Sequence, residues 1–352
     1  MRFIPLGGIL LAIVMVGIGI WQITETPGSV LKEEPPTVLP TSTPGETIIV
    51  SIQEGESAQE VAEKLEDEGI ISSGLLFRVL VALQGYEDKL VAGDYEFDGG
   101  TPTLEVVERI RHGQTAPLVV TIREGLRAEE IAELMEDKKV LSAEDFLEAI
   151  KSWYEFSFLY TKPYWATLEG YLFPDTYFFS RNMTGEEVVQ QILENFHQRV
   201  DDELRQEAAV AGLSMHTVLI LASIVEREAQ VPDERPVIAG VFLKRLRRGM
   251  PLEADPTVQY ALGNDPASVA RYGYWKEELT QADLEVDSAY NTYRYAGLPR
   301  GPICNPGLDS ITAVIRPAET NYLYFVARAD GSHVFAETLE EHLSNIERYG
   351  GR

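Results

Sequence analysis

From Phe3 to Ile23 the chain is almost wholly apolar and uncharged, about the 20 residues that a helix needs to cross a hydrocarbon core. Arg2 and the amino terminus precede this run, and Glu25, Lys32, Glu33 and Glu34 follow it. The positive-inside rule then sets the short N-terminus in the cytoplasm and the remainder outside. A cleaved signal peptide is the competing reading, but its apolar core would be shorter and end at small residues, whereas Trp21 and Gln22 close this one. Thr24 to Glu46 carries Pro27, Pro35, Pro36, Pro40 and Pro44 among Thr and Ser. It has no apolar period to bury and reads as an extended tether.

Two later stretches share one pattern at a fixed offset: IIVSIQEGESAQEVAEKLEDEGIIS from Ile48 and LVVTIREGLRAEEIAELMEDKKVLS from Leu118. In each, an alternating strand (Val50, Ile52; Val120, Ile122) runs into Glu-Gly, then a helix with apolar positions at Val61 and Leu65, or Ile131 and Met135. Ser72 and Ser142 stand at matching places to N-cap a further helix, the second being Ala143 to Ile150. The repeat predicts a duplicated strand, helix, helix module, with too few copies for a solenoid. After the first copy, Gly93 to Phe97 reads as a return strand and Thr103 to His112 as another helix. The first unit therefore resembles a LysM-like module in size and order, without any diagnostic motif.

Trp153 to Phe179 is dense in aromatics, which usually build a core. Pro163, Gly170 and Pro174 break any regular period, so part of this stretch is loop or short strand, where aromatics also suit stacking on sugar rings. Glu186 to Leu213 predicts a helix pair or one bent helix, and Ser214 a cap for the next helix. Pro232 and Asp233 break the chain before a helix from Val237 to Arg248, whose end carries Lys244, Arg245, Arg247 and Arg248 and stops at Gly249. Asn321 to Phe335 predicts a hairpin across Asp330 and Gly331.

Leu219 to Glu228, reading LILASIVERE, is so apolar that a helix made from it must be buried, yet it ends in acids. Glu226 lies one turn after Ala222 and two after Leu219, on the same face. Burial and the orphan carbonyls of the helix end both raise the pKa of such a carboxyl, which suits a general acid. The alternative is an acid paired with Arg227, Arg235 or another cation. Glu228, two residues on, points elsewhere and is expected to be solvated or paired.

Composition narrows the chemistry. The 352 residues are 45% hydrophobic, enough for roughly two domains. With 56 acids against 30 bases and a net charge of −26, the chain argues strongly against a nucleic-acid backbone as a ligand. Cys304 is the sole cysteine, so no intramolecular disulfide forms, and it reads as a small buried hydrophobe. There is no HExxH, no paired-Cys motif, no GxSxG elbow, no Walker loop and no dinucleotide fingerprint. Carboxylate chemistry remains, with glycosidic cleavage the natural candidate. Beside Glu226 stand softer candidates: Glu169 as a second acid, Asp255 and Gln259 one turn apart, and Asn291, Tyr293 and Arg294 at the start of a long Gly/Pro-rich loop ending at Gly307.

In order and spacing, LEGYLFPDTY, LASIVEREA, PLEADPTVQYALG, AYNTYRYAGLPRGPICNPG and YLYFVARADGSHVF resemble the MltG/YceG-like family of membrane-bound endolytic murein transglycosylases, from about Ile48 to the C-terminus. The resemblance implies that Glu226, the first Glu of SIVE, is the catalytic acid, and that Gln259, Tyr290, Asn291 and Tyr293, with Glu169, line the cleft. It also explains the missing second carboxylate. Such an enzyme protonates the glycosidic oxygen between N-acetylmuramic acid and N-acetylglucosamine, then uses the same residue as base on the muramyl 6-hydroxyl, closing a 1,6-anhydro ring. No cofactor and no metal is implied. The implied partners are peptidoglycan glycan strands and a peptidoglycan synthase (penicillin-binding protein). Ala229 and Arg300 depart from the family's usual Thr and Pro without touching the acid. A non-catalytic peptidoglycan-binding or scaffold protein is the rival. Aminodeoxychorismate lyase, a label this family has carried, needs a pyridoxal phosphate lysine for which no Lys here stands in a persuasive setting. The expected architecture is α+β: residues 1–23 a transmembrane anchor, 24–46 a Pro/Thr-rich linker, 47–115 a LysM-like module, and 116–352 a mixed α+β catalytic domain held outside the plasma membrane.

Overall fold

The computed structural model describes residues 47–87 and 89–349. The apolar run from Phe3 to Ile23 and the tether lie outside the described residues, among which no single helix is long and apolar enough to cross a membrane.

The fold is mixed α+β. Strand β1 (Thr47–Ile52) turns Val50 and Ile52 to one face, and α1 (Ala58–Asp67) follows from a capping box. In that box the Ser57 hydroxyl accepts the Glu60 N–H, and the Glu60 carboxylate accepts the Ser57 N–H at 2.8 Å. Helix α2 (Gly74–Gln84) starts at Ser73, whose hydroxyl accepts the Leu76 N–H. The cap falls one residue beyond Ser72 because Ile70 and Ile71 are both drawn into the core before the helix can begin. Strand β2 (Gly93–Asp98) returns antiparallel to β1, Thr47 opposite Asp98, and α3 (Thr103–Arg111) closes the unit. Its core is its own, built from side chains such as Leu65, Phe77, Tyr95, Phe97 and Ile110.

The order then repeats with β3 (Leu118–Thr121), α4 (Ala128–Asp137) and α5 (Ala143–Ala149), the last capped by Ser142. The strand that pairs with β3, β4 (Thr176–Phe179), arrives only after the aromatic stretch, with Leu118 opposite Phe179. Within that stretch Phe158, Tyr171, Phe173, Tyr177 and Phe179 are buried, while Trp153, Tyr160, Tyr164, Trp165 and Phe178 face solvent. Next come α6 (Gly185–Arg199) and α7 (Asp202–Val210), the expected helix pair, and α8 (Met215–Glu228), capped by the Ser214 hydroxyl on the Thr217 N–H at 3.1 Å. Helix α9 (Arg235–Arg247) begins earlier than expected because Pro236 is tolerated in a first turn. Helices α10 (Asp255–Leu262), α11 (Pro266–Tyr272) and α12 (Leu308–Ile315), the hairpin β5 (Tyr324–Ala327) and β6 (His333–Ala336), and α13 (Leu339–Tyr349) complete the chain.

Helix α8 is the axis of the larger core. Val218, Leu219, Leu221, Ile224 and Val225 are at most 1% exposed, and α7, α9, α10 and α12 pack around them. Each such side chain contributes roughly 1.5 to 3 kcal/mol by leaving water. A group at the end of this helix is therefore held on a rigid platform.

Candidate active site

Glu226 occupies the last turn of α8, and its side chain is 7% exposed. Its Oε2 accepts the N–H of Gly307 at 3.0 Å, and Arg235, at the start of α9, lies 3.6 Å from Oε1. Both are contacts that a carboxylate makes well. Arg227 is turned away, its guanidinium 3.8 Å above the Trp275 ring. Gly307 is placed by the long loop that ends there, and the loop is stitched to α8 one turn before Glu226. The Ser223 hydroxyl accepts the Ile303 N–H at 3.0 Å, and the buried Cys304 thiol donates to the Ser223 carbonyl. Burial pushes that thiol far up, so it is an inert packing group.

Asn305, fully buried, ties three segments together. Its Oδ1 accepts the N–H groups of Gly170 and Leu172, and its Nδ2 donates to the Leu126 carbonyl at 3.0 Å and to Glu169 Oε1 at 2.7 Å. The other Glu169 oxygen accepts the Ala128 N–H at 3.1 Å and lies 3.5 Å from the Tyr260 hydroxyl. Burial pushes the Glu169 carboxyl up to about 8, with Glu129 adding to the effect and the Ala128 N–H, Arg127 and Asn305 opposing it. Glu169 also lines a cavity of about 460 Å³ with Trp165, Tyr260, Tyr290 and Arg300, whose guanidinium stacks 4.2 Å from the Trp165 ring.

A separate cavity of about 380 Å³ holds Glu228, Asp255, Tyr293, Phe325 and His333. The Tyr293 hydroxyl donates to Asp255 at 2.6 Å. Glu228 is half-buried, and among the described residues its carboxylate meets no hydrogen-bond or ion-pair partner; of the two roles expected for it, solvated or paired, the paired one is not seen. Burial, with Asp255 nearby, pushes it up to about 8. Helical phase separated Glu228 from Glu226 correctly but could not reveal that the hairpin and α13 roof its side of the helix.

Residues 50–348 match the model of the YceG-like family. The chain belongs to that family. It is 32% identical over 317 residues to a protein of Bacillus subtilis (strain 168) named endolytic murein transglycosylase, covering 86% of this chain and 85% of that one. It is 30% identical over 329 residues to a protein of the same name from Streptococcus pneumoniae serotype 2 (strain D39 / NCTC 7466), of whose length it spans 58%. The crystal structure at 2.6 Å of a putative YceG-like protein from Listeria monocytogenes is 33% identical and matches with a TM-score of 0.57 over 85% of this chain and 99% of that one.

The residues that the YceG-like resemblance marked do not converge on one point. Tyr290 packs against Tyr260 with ring centroids 4.7 Å apart and faces the larger cavity with Glu169, whereas Tyr293 faces the smaller one with Glu228. Asn291, 1% exposed, donates to the carbonyls of Leu284 and Val286, and Gln259 donates to the Lys276 carbonyl at 2.8 Å. In this structure both side chains brace loops. Two residues that sequence reasoning passed over hold the site together: Asn305 and Arg127. Asn305 sits in the quoted motif between Cys304 and Pro306, a setting that signals a turn. Arg127 stands where the first copy of the repeat has Ser57, and that mismatch was the available signal.

Proposed function

We propose that this chain is an endolytic peptidoglycan lytic transglycosylase with Glu226 as its acid and base. The observation that carries the chemistry is one carboxyl, fixed at the end of a buried helix by Gly307 and Arg235, in a chain 32% identical to an endolytic murein transglycosylase over 86% of its length. The protonated Glu226 gives its proton to the glycosidic oxygen as the bond from C1 of N-acetylmuramic acid to that oxygen breaks, releasing N-acetylglucosamine with a free hydroxyl. The resulting carboxylate takes the proton of the muramyl 6-hydroxyl as O6 bonds to C1. Glu226 ends protonated, no water is consumed, and no second carboxylate has to act as nucleophile.

Phe3 to Ile23 serves as a single-pass anchor in the plasma membrane, with the short linker holding a LysM-like module (47–115) and the catalytic domain (116–352) against nascent glycan strands, beside the synthase that makes them. Digestion of purified sacculi tests the reaction. Anhydro-muramyl ends must appear with the wild type and vanish with Glu226→Gln. Reducing ends in their place would mean a hydrolase, and no cleavage would mean a binding or scaffold protein.

A second reading makes Glu228 the acid, favoured by its raised carboxyl and the cavity it shares with Asp255 and Tyr293. The same digestion decides between them, because the acid is the residue whose Gln variant makes no anhydro ends.

A further inference from the structure

We propose that Glu124, from the turn of the second repeat, is a positioning residue of this active site: it shares the charge around Arg235 with Glu226 and so governs how firmly Glu226 holds its proton. The inference rests on Glu226 being the acid of a transglycosylase.

Geometry places Glu124 there from two directions. The Gly125 N–H donates to the Asn305 carbonyl at 2.9 Å, which pins the turn after β3 to the loop two residues before Gly307. A Cβ built on Gly125 would lie 3.8 Å from Glu226 Cγ, so the turn rests directly on the acid. From the other side, a Cβ built on Gly307 would overlap the Glu124 carboxylate. Glycine at 307 thus lets one residue donate its N–H to Glu226 while the Glu124 carboxyl lies against its α-carbon.

The charges facing the pair are few. Glu226, Arg235 from α9 and Asp309 from α12 act on Glu124, and Arg235 is the cation beside Glu226, since Arg227 is stacked on Trp275. Partial burial and Glu226 raise Glu124, and Arg235 opposes them. Two carboxylates face one guanidinium, so the charge of each acts on the other, and that coupling is reciprocal. Glu124 is only partly buried and keeps more contact with solvent than the Glu226 side chain, which is 7% exposed, so solvent meets the pair at Glu124. Removing the charge of Glu124 should let Glu226 lose its proton more readily, and a general acid that ionises earlier fails at lower pH.

The test is kcat/KM against pH for the full chain on uncrosslinked glycan strands, read as 1,6-anhydro ends, for wild type, Glu124→Gln and the first-copy counterpart Glu54→Gln. Expected is a Glu124→Gln enzyme that melts like wild type and still cuts, with its alkaline limb about one pH unit lower, and a Glu54→Gln profile that superimposes on wild type. A Glu124→Gln profile identical to wild type overturns the inference while leaving the reaction intact. Complete loss of cutting at unchanged melting also overturns it, because Glu124 would then itself carry the proton. A wild type that makes no anhydro ends at any pH removes the reaction, and this inference with it.

Discussion

The two copies of the strand, turn and helix unit began from one pattern and have diverged at their turns. In the first, Glu54 and Gly55 face solvent, nothing lies within 4 Å of a Cβ on Gly55, and the turn borders an open groove of about 810 Å³ with Leu75, Arg78 and Val79. Ser57 serves only its own helix as cap. In the second, the turn lies on Glu226, and the residue at the cap position is Arg127, which is 0% exposed. Its guanidinium pairs with Glu129 at 2.7 Å, donates to Asn264 at 2.6 Å and stacks 4.2 Å from the Tyr260 ring. Both copies keep the glutamate three residues on that accepts the cap N–H, Glu60 at 2.8 Å and Glu130 at 3.0 Å. What differs is the cap side chain. One copy stabilises itself, while the other has no capping hydroxyl and joins two distant parts of the chain, α4 and the end of α10.

That contrast can be broken at matched positions. Arg127→Ala is expected to destabilise the protein by about 3 to 5 kcal/mol in denaturant unfolding, since it strips a buried charge network, whereas Ser57→Ala should cost only about 1 kcal/mol. A similar loss at both sites would mean that Arg127 is merely a cap.

Glu169→Gln should cost about 1 to 3 kcal/mol, because two N–H donors then face one carbonyl oxygen. It should also change the pH response. A carboxyl raised from 4.5 to about 8 in the folded state stabilises fully below the unfolded value, and that contribution is lost as pH climbs toward 8. The melting temperature of the wild type should therefore fall between pH 5 and pH 8, and the fall should be shallower in the variant. Equal slopes would place the titrating group elsewhere.

The smallest effect is the most discriminating. Gly55 and Gly125 have φ of +84° and +78°, so Ala at either strains the backbone by about 1 to 2 kcal/mol. Melting should drop alike in Gly55→Ala and Gly125→Ala, but the yield of anhydro ends at a permissive temperature should fall only for Gly125→Ala. Equal yields would detach the second turn from the active site.

Local pattern made much of this legible. The repeat, the Ser214 cap, the buried course of α8, the long loop and the hairpin all follow from periodicity and turn chemistry over short windows. Arg235 was one of the cations named as a partner for Glu226, and it lies beside it. What local pattern could not carry was contact between remote segments. Nothing around Leu118 announces that its strand partner is Phe179, or that the cap position of α4 would be filled by a buried arginine. Asn291 and Gln259 have the donors of a sugar-binding residue, and the same donors equally satisfy the Leu284, Val286 and Lys276 carbonyls, so residue type left their role open.

Asn305 is a rivet that admits no replacement of its own shape. Its amide offers two donors and two lone pairs, and all four meet a partner inside the core. Aspartate has the same outline but would turn an acceptor toward the Leu126 carbonyl and a charge toward Glu169, and leucine would orphan the N–H groups of Gly170 and Leu172. Substitution is therefore easiest to accommodate at the open first turn and hardest where three segments share a single amide.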